Sequence, residues 1–98
     1  MEPDPLFSKL VERLRERRDL VDVVREHVPG LRAAGRNHKA CCPFHEEQTP
    51  SFHVNTDKQI FHCFGCHAGG DVFKFMMELE HITFPEAVAR LARRAGLG

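Results

Sequence analysis

The chain has 98 residues, 14 basic and 14 acidic, with a formal net charge of zero. A chain of this length buries only about two-thirds of the surface its unfolded form exposes, so it needs a staple such as disulfides or a metal. A balanced charge does not advertise a polyanionic partner, and no apolar run reaches the roughly 18 residues of a membrane span.

The order of elements reads as two helices, a strand-rich centre and two further helices. Leu6, Phe7, Leu10, Val11 and Leu14 recur at helical spacing, with Pro5 suited to the first turn. Asp19 is placed as the N-cap of a second helix, Leu20 to Val28, which Pro29-Gly30 ends. Leu31–Ala34, His38–Cys41, Ser51–Asn55 and Gln59–Phe64 read as short strands. Gly35-Arg36-Asn37 and Asn55-Thr56-Asp57-Lys58 are the turns between them. Gly69-Gly70 releases the chain into a third helix capped by Asp71, with Val72, Phe75, Met76 and Leu79 as its apolar stripe. Thr83 and Glu86 form a capping-box pattern for a fourth helix. Phe84, Val88, Leu91 and Ala95 line its inner face, and Gly96 stops it. The fold class expected is α+β: a small antiparallel sheet flanked by N- and C-terminal helices. The chain is read as one domain, 1–98, with a helical part at 1–30, a ribbon at 31–68 and C-terminal helices at 69–98.

Cys42 and His45 are separated by two residues, as are Cys63 and Cys66, and seventeen residues lie between the pairs. Two such knuckles at this distance are a zinc pattern, because each tight loop turns two ligands inward as half a tetrahedron. Gly65 relieves crowding where backbone amides point at the sulfurs. Four protein ligands leave no open position, which marks a structural zinc rather than a catalytic one. Two disulfides are the competing reading. The N-terminus lacks an export signal, which points to a reducing cytoplasm where disulfides rarely persist. Cys41 neighbours Cys42 and faces the opposite way, so it is expected as a small buried apolar residue. His62 and His67 each adjoin a ligand cysteine, but His45 alone has the knuckle spacing to Cys42.

The run Cys42-Pro43-Phe44-His45-Glu46-Glu47-Gln48-Thr49-Pro50-Ser51-Phe52 resembles the N-terminal zinc-binding domain of bacterial DNA primase. So does Lys58-Gln59-Ile60-Phe61-His62-Cys63-Phe64-Gly65-Cys66, and the resemblance extends over nearly the whole chain. It implies a zinc ribbon of the CHC2 type that contacts the single-stranded DNA template and helps choose where primer synthesis starts. It further implies a separate RNA polymerase domain with magnesium-binding carboxylates, and a replicative helicase and single-strand binding protein as partners. No match to the polymerase domain lies in these residues, so the segment is expected to be inert alone and to have no catalytic residue. Three positions depart from the pattern: Gln48 for the usual lysine, His67 for a common glycine, and the longer link at Pro29-Gly30.

No acid occurs from His27 to His45, while Arg32, Arg36 and Lys39 fall in that window. With Lys58 they would give a basic sheet face, and Phe52, Phe61 and Phe64 would supply aromatic surface. Basic residues among aromatics suit single-stranded nucleic acid, and four phosphate contacts imply a logarithmic salt slope of about −3. Alternation puts Phe61 on the side of Cys63 and Phe64 with His62, so Phe61 is expected beneath the metal and His62 on the exposed face. Lys74 adjoins that surface. Two other functions compete: a protein-docking ribbon, and a zinc enzyme with Glu46 or Glu47 as base.

Overall fold

A computed structural model describes residues 5–45 and 49–97. The order is α1 (Pro5–Glu16), α2 (Leu20–His27), β1 (Arg32–Ala34), β2 (Asn37–Ala40), β3 (Phe52–Asn55), β4 (Ile60–Cys63), β5 (Gly69–Gly70), α3 (Val72–Glu80) and α4 (Phe84–Ala95). The five strands form one antiparallel sheet in sequence order. This is the expected α+β arrangement. Gly69-Gly70 does more than release α3, since it pairs with Phe61 and His62 as an edge strand.

The turns follow from backbone chemistry. Ala34 pairs with Asn37, so the first hairpin loop is Gly35-Arg36 alone. Gly35 has φ +67°, which a tight hairpin turn favours and glycine adopts without strain. The second loop, Thr56 to Gln59, is closed by the Lys58 N–H donating to Asn55 Oδ1 at 3.0 Å.

One face of the sheet is the core. Phe52, Val54, Phe61 and Cys63 are fully buried there. α3 supplies Phe75 to this face, at 5.7 Å from the Phe61 ring and 6.2 Å from Phe52. Leu20, Val23 and Val24 of α2 and Ala87, Val88, Leu91 and Ala92 of α4 complete the core. Phe73 is buried as well, outside the expected stripe of α3, because the Phe84 ring lies 5.3 Å from it and the Arg15 guanidinium 4.9 Å over it. The short helix is covered on two sides, so its buried arc is wider than one stripe.

Three caps stand as expected. Asp71 accepts the Lys74 N–H at 3.0 Å, Thr83 and Glu86 form a reciprocal box, and Gly96 closes α4 at φ +74°. Asp19 differs. It occupies the N-cap position of α2 but makes no side-chain cap bond. Its carboxylate accepts from Arg17 and from Arg94, each at 3.0 Å. The Leu20 N–H instead donates to Gln59 Oε1 at 3.0 Å, across 39 residues of chain. A nearby loop thus caps the helix and frees Asp19 to tie α2 to α4.

Candidate metal centre and the open sheet face

Cys42 and His45 lie on the loop after β2, Cys63 ends β4, and Cys66 lies on the turn that follows. One ligand atom from each falls within 4.8 Å of the other three. Cys42 Sγ and Cys66 Sγ are 3.8 Å apart. A tetrahedron with Zn–S bonds of about 2.3 Å has an edge of about 3.8 Å, so this sulfur pair already has the separation zinc needs. A disulfide needs about 2.05 Å. Three sulfurs and an imidazole, all supplied by the protein, are the donor set of a structural zinc, and the residues fit that ion.

The local backbone prepares the sulfurs. The Phe44 N–H points at Cys42 Sγ at 3.4 Å, and the Cys66 N–H at Cys63 Sγ at 3.5 Å. The Ser51 hydroxyl lies 3.5 Å from Cys63 Sγ. Burial pushes the Cys42 thiol up to about 12, against the single Phe44 N–H. Burial also pushes Cys63 up, but the Cys66 and Gly65 N–H groups, the Ser51 hydroxyl and the Cys42 thiol outweigh it and hold Cys63 at about 7. The left-handed residue of the second knuckle is His67, at φ +65°, where its N–H returns to the Cys63 carbonyl at 2.8 Å. That backbone explains why glycine would be at home there.

Phe44 anchors the first knuckle. Its ring lies 5.9 Å from Phe52, 5.6 Å from Phe61 and 5.8 Å from Phe75. Four aromatic rings from a knuckle, two strands and a helix therefore pack beneath the metal site. The sequence reading passed over Phe44 because a lone phenylalanine between ligands has no periodicity to give it away. Phe52 and Phe61 belong to this cluster, so the expectation that Phe52 adds aromatic surface is corrected and that for Phe61 beneath the metal holds.

Cys41 is exposed, not buried. The alternation that turns Cys42 inward turns Cys41 outward, and none of the four helices covers it there. Glu46, Glu47 and Gln48 lie outside the described residues.

The same alternation assembles the opposite face. Arg32 pairs with Lys39, Lys39 with His53, His53 with His62, and His62 with Gly69. Directly opposed residues of antiparallel strands share a face, so these side chains form one row across the sheet. Arg32 is exposed and Lys39, His53 and His62 are half-buried. Phe64, 64% exposed, caps the row with its ring 5.0 Å from His53 and 4.6 Å from His62. Gly69 admits the His62 ring: a Cβ there would meet His62 Nδ1 at 3.3 Å and the Phe61 carbonyl oxygen at 3.1 Å.

Among the described residues, Arg32, Arg36, Lys39 and Lys58 have no acid partner, whereas Arg15, Arg17, Arg25, Lys74, Arg90 and Arg94 do. The structure nevertheless divides the four. Arg32 and Lys39 stand in the row, Arg36 is at the tip of the first hairpin, and Lys58 is on the opposite turn, facing α1. His53 was missed by the sequence reading; its register opposite Lys39 and His62 is the signal that finds it. Lys74 pairs with Glu78 at 3.2 Å.

Residues 6–98 match the CHC2 zinc finger family. The chain belongs to this family. It is 54% identical over 90 residues to the DNA primase of Geobacillus stearothermophilus, covering 92% of this chain and 15% of that protein. It is 51% identical over 95 residues to the DNA primase of Pseudomonas putida, covering 97% of this chain and 14% of that protein. The fold superposes on a crystal structure of the Aquifex aeolicus primase comprising zinc-binding and RNA polymerase domains, with a TM-score of 0.83 and 46% identity. That match covers 89% of this chain and 21% of the other. The chain thus corresponds to the zinc-binding domain of bacterial DNA primases and spans about one-seventh of the length of these two relatives. Among the described residues, no helix is long and apolar enough to cross a membrane.

Proposed function

We propose that Cys42, His45, Cys63 and Cys66 hold one structural zinc ion, and that the sheet it supports binds the single-stranded DNA template of a primase. Binding there would help select the site at which RNA primer synthesis starts. The observation that carries this reading is the cross-strand row of Arg32, Lys39, His53 and His62 with Phe64 standing beside it. Cations without acid partners attract phosphates, and an exposed ring gives an unpaired base a surface to stack on. The zinc supplies no chemistry to the strand; it fixes the two knuckles and therefore the register of β4, from which His62 and Phe64 project.

Fluorescence anisotropy of the zinc-loaded chain with single-stranded oligonucleotides tests this directly. Binding should weaken with salt, with a slope lower by about 1.4 after Arg32 and Lys39 are both changed to alanine. No binding at low salt, or binding indifferent to those two residues, would sink the template-surface reading.

A second reading rests on a different surface. Leu6 is 76% exposed and, with Leu10 and Leu97, lines a groove of about 350 Å³ between α1 and the end of α4. The structural match unites a zinc-binding and an RNA polymerase domain in one chain. We infer that this groove docks the primase polymerase domain. Leu6→Asp should weaken association with that domain and leave DNA binding unchanged, measured by calorimetric titration; unchanged association would reject it.

A further inference from the structure

Lys58, one of the four cations without an acid partner among the described residues, stands on a turn that faces α1 and not the row. The turn that carries it is pinned to the helices. Arg18 donates to the carbonyls of Thr56 at 3.2 Å and Asp57 at 2.7 Å, and Gln59 bridges the Leu20 N–H and the Thr56 carbonyl. Between this turn, the α1–α2 junction and the start of α3 lies a cleft of about 350 Å³, with Arg15, Arg18 and Lys58 in its walls and Ile60 and Val72 as apolar surface. The two acids in its walls are already engaged. Asp71 accepts from Arg15 at 2.7 Å and caps α3, and Asp19 accepts from Arg17 and Arg94. The Arg18 guanidinium bonds only neutral carbonyls, and the Lys58 ammonium has no acid partner among the described residues. Three cations, Arg15, Arg18 and Lys58, therefore line the cleft against two acids, which leaves its walls net positive.

Ile60 connects this cleft to the open face. It is 39% exposed, and it also lines a shallow depression of about 220 Å³ on that face with His53, His62 and Phe64. The two concavities share this one side chain as a common wall.

We propose that a DNA strand lying on the open face does not stop at the end of the sheet. It crosses Ile60 and sets a further phosphodiester against Lys58 and Arg18 in the cleft. This rests on the reading of the open face as the template surface. An apolar step between two cationic surfaces matches the alternation of base and phosphate along a single strand. The cleft thus lengthens the footprint and gives the strand a fixed direction of exit, past the β3–β4 turn.

The test is a length series of oligothymidylates titrated against the zinc-loaded chain, wild type, Lys58→Ala and Lys39→Ala. The wild type should gain affinity as the oligonucleotide grows past the length that fills the face. Lys58→Ala should abolish that gain and lower the salt slope by about 0.7, one phosphate contact, for the long oligonucleotides only. Lys39→Ala should weaken short and long ones alike. Lys58 is exposed and its ammonium has no acid partner among the described residues, so its loss should leave the circular dichroism unchanged; Lys58→Glu provides a second variant with the same pattern and a larger loss. Equal losses at every length for Lys58→Ala, or none at any length, would overturn the cleft. Binding that depends on Lys39 but never grows with length would also overturn the cleft while sparing the open face. A wild type that binds no oligonucleotide would overturn the face itself, and the cleft with it.

Discussion

The two faces of the sheet are made by the same strands, yet they obey different rules. Toward the helices, β3 and β4 present Phe52, Val54, Phe61 and Cys63, all buried. Toward the outside, the residues between them present His53 and His62, flanked by Arg32, Lys39 and Phe64. The inner face is held by aromatic packing and the proposed zinc. The outer face is more open to solvent, so single changes there should cost little stability and act on binding instead. Residues of one kind should consequently behave in opposite ways according to the face they occupy.

The largest effect should come from the metal itself. Structural zinc in small peptides supplies about 10–16 kcal/mol of apparent binding energy near neutral pH. That equals or exceeds the roughly 5–15 kcal/mol net stability of a typical domain. Cys63→Ala or a strong chelator should therefore unfold the chain, read as loss of its cooperative thermal transition. Zinc takes thiolates, so its affinity must rise with pH wherever a ligand thiol still holds a proton. Burial pushes the Cys42 thiol up to about 12, while the surrounding N–H groups and the Ser51 hydroxyl hold Cys63 at about 7. Zinc affinity should therefore fall as pH falls, and more steeply below about 7, where Cys63 also holds a proton that the ion must displace. A competition titration against a chelating dye at several pH values measures this, and a pH-independent affinity would exclude thiolate ligation.

A pair of phenylalanine substitutions sharpens the contrast between the faces. Phe61→Ala removes a ring at the centre of the four-ring cluster and should cost about 3–5 kcal/mol in urea denaturation. Phe64→Ala lies three residues along the chain, on the other face, and should cost under about 0.5 kcal/mol of stability. It should instead weaken single-stranded DNA binding by about 1–3 kcal/mol. If Phe64→Ala destabilised the fold as much as Phe61→Ala, the division of labour between the faces would be wrong.

The smallest effect concerns the helices behind the inner face. Arg94 bonds Glu26 and Asp19 together, so it ties α4 to α2. The Arg94 hydrogen bond holds the Glu26 carboxyl below its ordinary value. A lowered carboxyl stabilises the fold above its unfolded pKa and loses that contribution as pH falls through the lower folded value. Glu26 is about half exposed, so solvent screens the pair. Arg94→Met should cost about 1 kcal/mol at neutral pH, and the difference from wild type should shrink below pH 4 as the carboxyl protonates.

Much of this was legible from residue order. Periodicity together with caps and stops located all four helices, although α3 buries a wider arc than one stripe. The Thr83–Glu86 box and the Gly96 stop are local and stand as read. The two knuckles brought Cys42, His45, Cys63 and Cys66 together on spacing alone, since a tight loop is a short-range object. Alternation separated Phe61 from His62, because a strand's side chains must point to opposite sides.

Tertiary structure decided what depends on distant partners. Asp19 looked like a cap, but Gln59 reaches the helix first and Arg94 takes the carboxylate. Cys41 looked buried, but it faces the side that none of the four helices covers. Phe44 became the anchor of a knuckle only once Phe52, Phe61 and Phe75 surrounded it. His53 joined the row through its register, and Lys58 left it because its turn folds toward α1. Sequence by itself determines the spacing of ligands and the side to which each strand residue points, because both are set within a few bonds. Only the folded chain decides which strands lie side by side, and hence which charges and rings meet, because that requires surfaces distant in sequence to be packed against one another.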